Sequence, residues 1–164
     1  MKGKVIKYQQ KNINTDLIIP ARYLVSKEFD FLANHCMEDL DPDFVKKVNE
    51  NNYSILVADS NFGCGSSREQ APLALKASGI KCIIAPSFAR IFFRNSINIG
   101  LQIVELAEIN DIKTGDVLKI NLKLGEINNI TSLRYYTVKK QPVFLQEIIS
   151  DGGLVNYAKK RLIV

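Results

Sequence analysis

Long apolar runs are missing from this 164-residue chain, and the longest, such as Ser54–Ala58 and Lys81–Pro86, are far too short to cross a bilayer. No apolar stretch follows the lysines of the opening MKGKVIKYQQ, so neither a secretory leader nor a membrane anchor is expected. Cysteine is scarce. Cys36, Cys64 and Cys82 form no Cys-x-x-Cys pair, and an odd count suits no closed disulfide set. Histidine is scarcer still, with His35 alone. A structural zinc site takes four ligands and an iron–sulfur cluster usually needs three or four thiolates, so no bound metal is expected. His35 and Cys36 have no second ligand at helical spacing and read as structural. Cys82, inside the apolar run KCIIAP, reads as a small core residue.

Basic runs are absent as well. The net charge is +5, but the lysines are scattered as singles and pairs such as Lys46–Lys47 and Lys139–Lys140. With no nucleic-acid motif, that scatter reads as solvated surface rather than a nucleic-acid footprint. The composition, 46% hydrophobic and 24% charged, is that of an ordinary soluble globular protein. The length suits one domain, 1–164, and a cytoplasmic setting is expected.

Alternating elements run along the chain. Lys4–Tyr8 and Leu17–Pro20 read as short strands, Glu28–Asn34 and Asp43–Asn51 as helices. Tyr53–Ala58 is a nearly continuous apolar run, the pattern of a buried parallel strand. Arg68–Ser78 and Ser87–Asn98 read as helices stopped by Gly79 and Gly100, with strands at Lys81–Ala85 and Leu101–Glu105. This β-α-β-α-β stretch implies parallel strands joined by right-handed crossovers. Val117–Leu122 and Tyr135–Lys139 then read as antiparallel strands, and Val143–Ile149 and Leu154–Leu162 as closing helices. An α/β fold follows, its mainly parallel central sheet flanked by helices and followed by a β-rich C-terminal part.

The segment Asp59–Gln70, DSNFGCGSSREQ, stands between a buried strand and a helix N-terminus, where open α/β sheets place ligands. Gly63 and Gly65 permit backbone conformations closed to other residues. Ser67 and Gln70 match a capping box, so a serine could simply cap the helix. The free N–H groups of a helix start, with the fork of Arg68, also suit a carboxylate or phosphate. The local pattern leaves both readings open. It is not a phosphate-loop or dinucleotide motif, and Gly-x-Ser-x-Gly is absent.

GCGSSREQA closely resembles the Gly-x-Gly-Ser-Ser-Arg-Glu signature of the swivelling domain of the aconitase superfamily. SFARIFFRNSINIGL at Ser87–Leu101 resembles that family's second motif, and NTDLIIPARYL at Asn14–Leu24 its first. The length is that of the free-standing small subunits of the family's isopropylmalate dehydratases. The resemblance implies a swivelling β/β/α domain that closes over a large subunit carrying a 4Fe–4S cluster, in a heterodimer or heterotetramer. It implies dehydration and rehydration of a 2-hydroxy dicarboxylate, in leucine biosynthesis. Ser66 corresponds to the family's catalytic base, and Ser67 and Arg68 to its substrate-carboxylate ligands.

The first motif, by the same resemblance, governs specificity through Tyr23, Leu24, Val25 and Ser26. Members acting on tricarboxylates carry arginine where this chain has Val25. Valine cannot pair with a third carboxylate, and an apolar substituent of isopropyl size buried beside it contributes about 1.5–3 kcal/mol. The resemblance therefore favours 2-isopropylmalate over citrate or homocitrate, while the smaller citramalate stays compatible. Asp16 belongs to an Asn-Thr-Asp that recurs near the family's site, and a turn cap is the competing reading. Arg90 and Arg94, four apart on one helix face, read as site, interface or solvated charges. Ser87 reads as that helix's cap, and Cys64 receives no catalytic role. The competing function is a non-catalytic carboxylate-binding module on the same fold.

Overall fold

Tyr53–Ala58 forms strand β2, and its last four residues are all buried, which requires cover on both faces of the sheet. In the computed structural model, which describes residues 1–26 and 28–162, β2 pairs in parallel with β1 (Lys2–Tyr8) and with β3 (Cys82–Ala85). β4 (Gln102–Glu105) extends the parallel set beyond β3. On the other side of β1 the strands β5 (Val117–Asn121), β6 (Glu126–Asn129) and β7 (Arg134–Thr137) follow antiparallel. The order is β4-β3-β2-β1-β5-β6-β7. β2, β3 and β4 are the expected β-α-β-α-β unit, β1 joins them in parallel, and the antiparallel half is the expected β-rich part.

Two cores follow from the alternation of strand side chains. On one face, Ile6, Leu56 and Ile83 pack against Ile18, Leu32, Phe44, Leu75 and Phe92. Those residues come from α1 (Thr15–Ile18), α2 (Phe29–Asn34), α3 (Phe44–Asn51), α4 (Gln70–Ala77) and α5 (Arg90–Asn98). On the other face, Val5, Ile55, Val57, Ile84 and Val104 share a core with Leu118, Ile120, Ile127 and Tyr136 of the antiparallel strands. The sheet curls so that its own second half covers that face. α6 (Val143–Ser150) and α7 (Leu154–Leu162) close the chain, with α6 against α5 and α7 against both. Among the described residues no helix is long and apolar enough to cross a membrane.

The expected strand over Leu17–Pro20 is instead the short helix α1. Asn14 decides it: its side chain accepts a hydrogen bond from the Leu17 amide at 2.9 Å, capping the turn. Ile18 and Ile19 are both buried, so a run of apolar residues here marks a helical turn pressed into the core. Strand β6 has little sequence signal of its own and exists through register, each residue paired to β5 and to β7.

Candidate active site

The carboxyl ends of β1, β2 and β3 feed three loops, and backbone hydrogen bonds bind these to one another. The Gly63 amide donates to the Ile13 carbonyl (2.8 Å) and the Thr15 amide to that of Cys64 (2.9 Å). The Phe62 amide donates to the Ser87 carbonyl (3.1 Å), and the Ala89 amide returns to that of Phe62 (3.0 Å). Three sequence segments remote from one another thus become one structure. Phe62 anchors it, fully buried, with edge-on contacts to Phe88 (6.2 Å) and Phe92 (5.3 Å). This use of Ser87–Ala89 delays α5 to Arg90. Ser87 therefore does not cap it; its hydroxyl accepts from the Asn61 amide at 2.9 Å.

Gly63 is where the loop has least freedom. Its φ is +75°, and an added Cβ would lie 2.1 Å from Phe92 Cγ. Left-handed backbone costs about 1–2 kcal/mol for a residue with a Cβ. Overpacking adds about 1–3 kcal/mol. Gly63→Ala is thus expected to destabilise the chain by about 2–5 kcal/mol in urea denaturation, and a loss below about 1 kcal/mol would contradict this packing.

The loops enclose a cavity of about 280 Å³ whose lining includes Thr15, Ser66, Arg68, Arg90, Ile91 and Arg94. Ser66 is exposed, and its carbonyl accepts from the Thr15 hydroxyl at 2.9 Å. Thr15 is itself 2% exposed, so a buried side chain sets the backbone of Ser66 from below. The amides of Gly65, Ser66 and Ser67 donate to no group among the described residues, which leaves them for an anion. The expected capping box does not form: α4 begins at Gln70, and its N-cap, Glu69, makes no side-chain cap bond.

Arg68 is held rather than solvated. Its side chain is 12% exposed, and Nη1 donates to Asp16 Oδ1 at 2.7 Å and to the Ile19 carbonyl at 3.1 Å. Asp16 thus serves Arg68 and does not cap a turn. Arg90 and Arg94 line the same cavity. Three arginines and no Asp or Glu in the lining suit an anion of more than one charge.

The expected residues separate into two groups. Ser66, Arg68 and Arg90 line the cavity; Ser67 is exposed beside it. Tyr23, Leu24, Val25 and Ser26 do not line it. Tyr23 stacks on His35 with centroids 3.7 Å apart and donates its hydroxyl to Glu38 at 2.8 Å. His35 Nδ1 lies 2.7 Å from Glu38, which makes the lone histidine a packing residue. Glu38 is held below the usual carboxylate range, by His35 first and Tyr23 second. Arg22 forks onto Asp39 (2.9 and 2.5 Å) and lies over the Tyr23 ring. Leu24 packs against the core, the Ser26 hydroxyl accepts from the Glu28 amide (3.1 Å), and Val25 is 86% exposed. Thr15 is the residue that sequence reasoning missed, although it stands inside the Asn-Thr-Asp. Arg94 had only its helical spacing from Arg90 to mark it.

Among the described residues no group of three or more His, Cys, Asp and Glu side chains could hold a metal ion. Burial pushes the Cys82 thiol up to about 12 and that of Cys36 also well above the ordinary range, so neither is poised as a thiolate ligand. Among the described residues no donor set fits an iron–sulfur cluster.

Comparison with known proteins identifies the family. Residues 1–109, which include all three loops, match the aconitase C-terminal domain family. The small subunit of 3-isopropylmalate dehydratase from Caldanaerobacter subterraneus subsp. tengcongensis is 53% identical over 99% of this chain and 99% of its own length. The corresponding subunit from Clostridium beijerinckii is 51% identical over 98% of this chain and 99% of its own. The crystal structure of a 3-isopropylmalate dehydratase from Methanocaldococcus jannaschii superposes with a TM-score of 0.90 at 44% identity, covering 99% of this chain and 95% of that one. With a shared fold and near-complete mutual coverage, this chain belongs to the aconitase C-terminal domain family, among the 3-isopropylmalate dehydratase small subunits.

Proposed function

We propose that this chain, paired with a large subunit, interconverts 2-isopropylmalate and 3-isopropylmalate through 2-isopropylmaleate, a step of leucine biosynthesis. One observation carries the reading: Ser66 lines a cavity with Arg68, Arg90 and Arg94 and with no Asp or Glu in the lining, while Asp16 pairs with Arg68. A dicarboxylate supplies the missing charge. We read 1–164 as one swivelling unit, and a cytoplasmic setting accords with three free thiols.

In this reading Ser66 Oγ removes the carbon-bound proton and returns one to the neighbouring carbon on rehydration. A serine hydroxyl is a poor base unless its anion is stabilised. The amides of Gly65, Ser66 and Ser67 and the surrounding guanidiniums supply preorganised positive charge for that purpose. Arg68, steadied by Asp16 and the Ile19 carbonyl, orients one substrate carboxylate with Ser67; Arg90 and Arg94 receive the other. The 4Fe–4S cluster belongs to the large subunit in this scheme, since the residues here do not fit it.

Substrate choice is assigned to Val25. Its 86% exposure means that this chain's own packing does not cover it, which leaves it free to meet the substrate in the paired enzyme. Val25→Arg in the two-subunit enzyme is expected to shift relative kcat/KM toward a substrate with a third carboxylate by about tenfold or more, as a newly paired buried charge should. Unchanged ratios would remove Val25 from the specificity set. Assay of the paired subunits tests the reading as a whole: selective turnover of 2-isopropylmalate is expected, and none with an intact large-subunit cluster would contradict it.

A further inference from the structure

The opposite end of the sheet holds a second and larger cavity, of about 810 Å³, beside the amino-terminal ends of β3 and β4. Lys2, Lys81, Lys119 and Lys123 line it, and no Asp or Glu does. The lysine ion pairs among the described residues are Lys47–Asp41 and Lys160–Asp151, so none of these four is neutralised. Lys2 and Lys119 are also direct cross-strand partners in the β1–β5 ladder. Like charges directly opposite on antiparallel strands destabilise the pair. The fold carries that repulsion without compensation from its own side chains.

The remaining lining adds a second chemistry. Leu122, Ile130 and Ile149 give the groove an apolar wall, with Ile130 43% exposed. Four cations beside an apolar wall suit a ligand that is itself divided, multiply anionic at one end and apolar at the other. We propose that this groove binds an organic phosphate of nucleotide size, its phosphates among Lys2, Lys81, Lys119 and Lys123 and its apolar group against Leu122, Ile130 and Ile149. The site lies at the far end of the strands from Ser66 and does not depend on the reaction assigned to that residue. Bound phosphate screens Lys2 from Lys119, so occupancy stabilises the chain.

Isothermal titration of the full chain with ADP, alone and in its complex with the large subunit, tests the proposal. The expected result is saturable one-to-one binding in both, weakened about tenfold or more by Lys119→Gln with Lys123→Gln and unchanged by Arg90→Ala. Pyrophosphate should bind more weakly than ADP, because it lacks the apolar part. Lys119→Glu should raise the Tm of the free chain, by replacing repulsion with attraction, and abolish the rise that ADP produces. Absence of ADP binding, equal binding by the lysine variants, equal affinity for pyrophosphate, or loss of binding in the complex would each overturn it.

Discussion

Ser66→Ala in the two-subunit enzyme is expected to lower kcat by about 10²–10⁴-fold, the contribution of a positioned proton-transfer group. The fold should survive, because the Ser66 hydroxyl supports nothing among the described residues. What the structure uses is the carbonyl of Ser66, which accepts from Thr15, and alanine retains it. KM should change little, since Arg68, Arg90 and Arg94 remain in place. Steady-state kinetics and thermal denaturation of the same preparations separate these effects. Activity within tenfold of the parent would remove Ser66 from the role of base.

Arg68→Gln should strike binding and turnover together. Its side chain is nearly buried, and Nη1 is occupied by Asp16 and the Ile19 carbonyl, so the remaining guanidinium nitrogens are presented at fixed angles. Removing one partner of a buried, hydrogen-bonded charge pair costs about 2–5 kcal/mol. In kcat/KM that is a loss of roughly 30- to 4,000-fold. Lysine at this position keeps the charge but not the fork, so Arg68→Lys should recover only part of the loss. Asp16→Asn, which loosens the arginine without removing it, should fall between the parent and Arg68→Gln. Full activity in Arg68→Lys would show that charge alone suffices and that the fixed fork has no role.

The parts of this fold that were legible are those in which local chemistry and burial agree. Tyr53–Ala58 and the alternation up to Glu105 read as a parallel unit because buried strands must be apolar throughout. Leu17–Ile19 misled because three apolar residues suit a strand or a buried turn equally, and the deciding group was the polar Asn14 before them. Ser67 and Ser87 both looked like helix caps. Tertiary bonds between loops moved each helix start past its serine. The site shows the same limit. Helical spacing placed Arg90 and Arg94 on one face, but which way that face points depends on how Phe92 packs against Phe62 and Gly63. Thr15 matters through a bond to a carbonyl 51 residues away, a pairing that no local pattern encodes. Val25 was legible only by resemblance, because its side chain is 86% exposed and no contact among the described residues marks it.

In the proposed reaction this chain brings the proton-transfer half of an isopropylmalate isomerisation to a partner that supplies the rest. An anaerobic assay of the chain, its large subunit and their mixture tests it most directly. Absorbance of the unsaturated intermediate is followed with 2-isopropylmalate, citramalate and homocitrate in parallel. The expected result is no turnover by this chain alone and selective turnover of 2-isopropylmalate by the mixture, reduced about a hundredfold or more by Ser66→Ala. Turnover by the isolated chain, or none by the mixture when the large subunit's cluster is demonstrably intact, would contradict it.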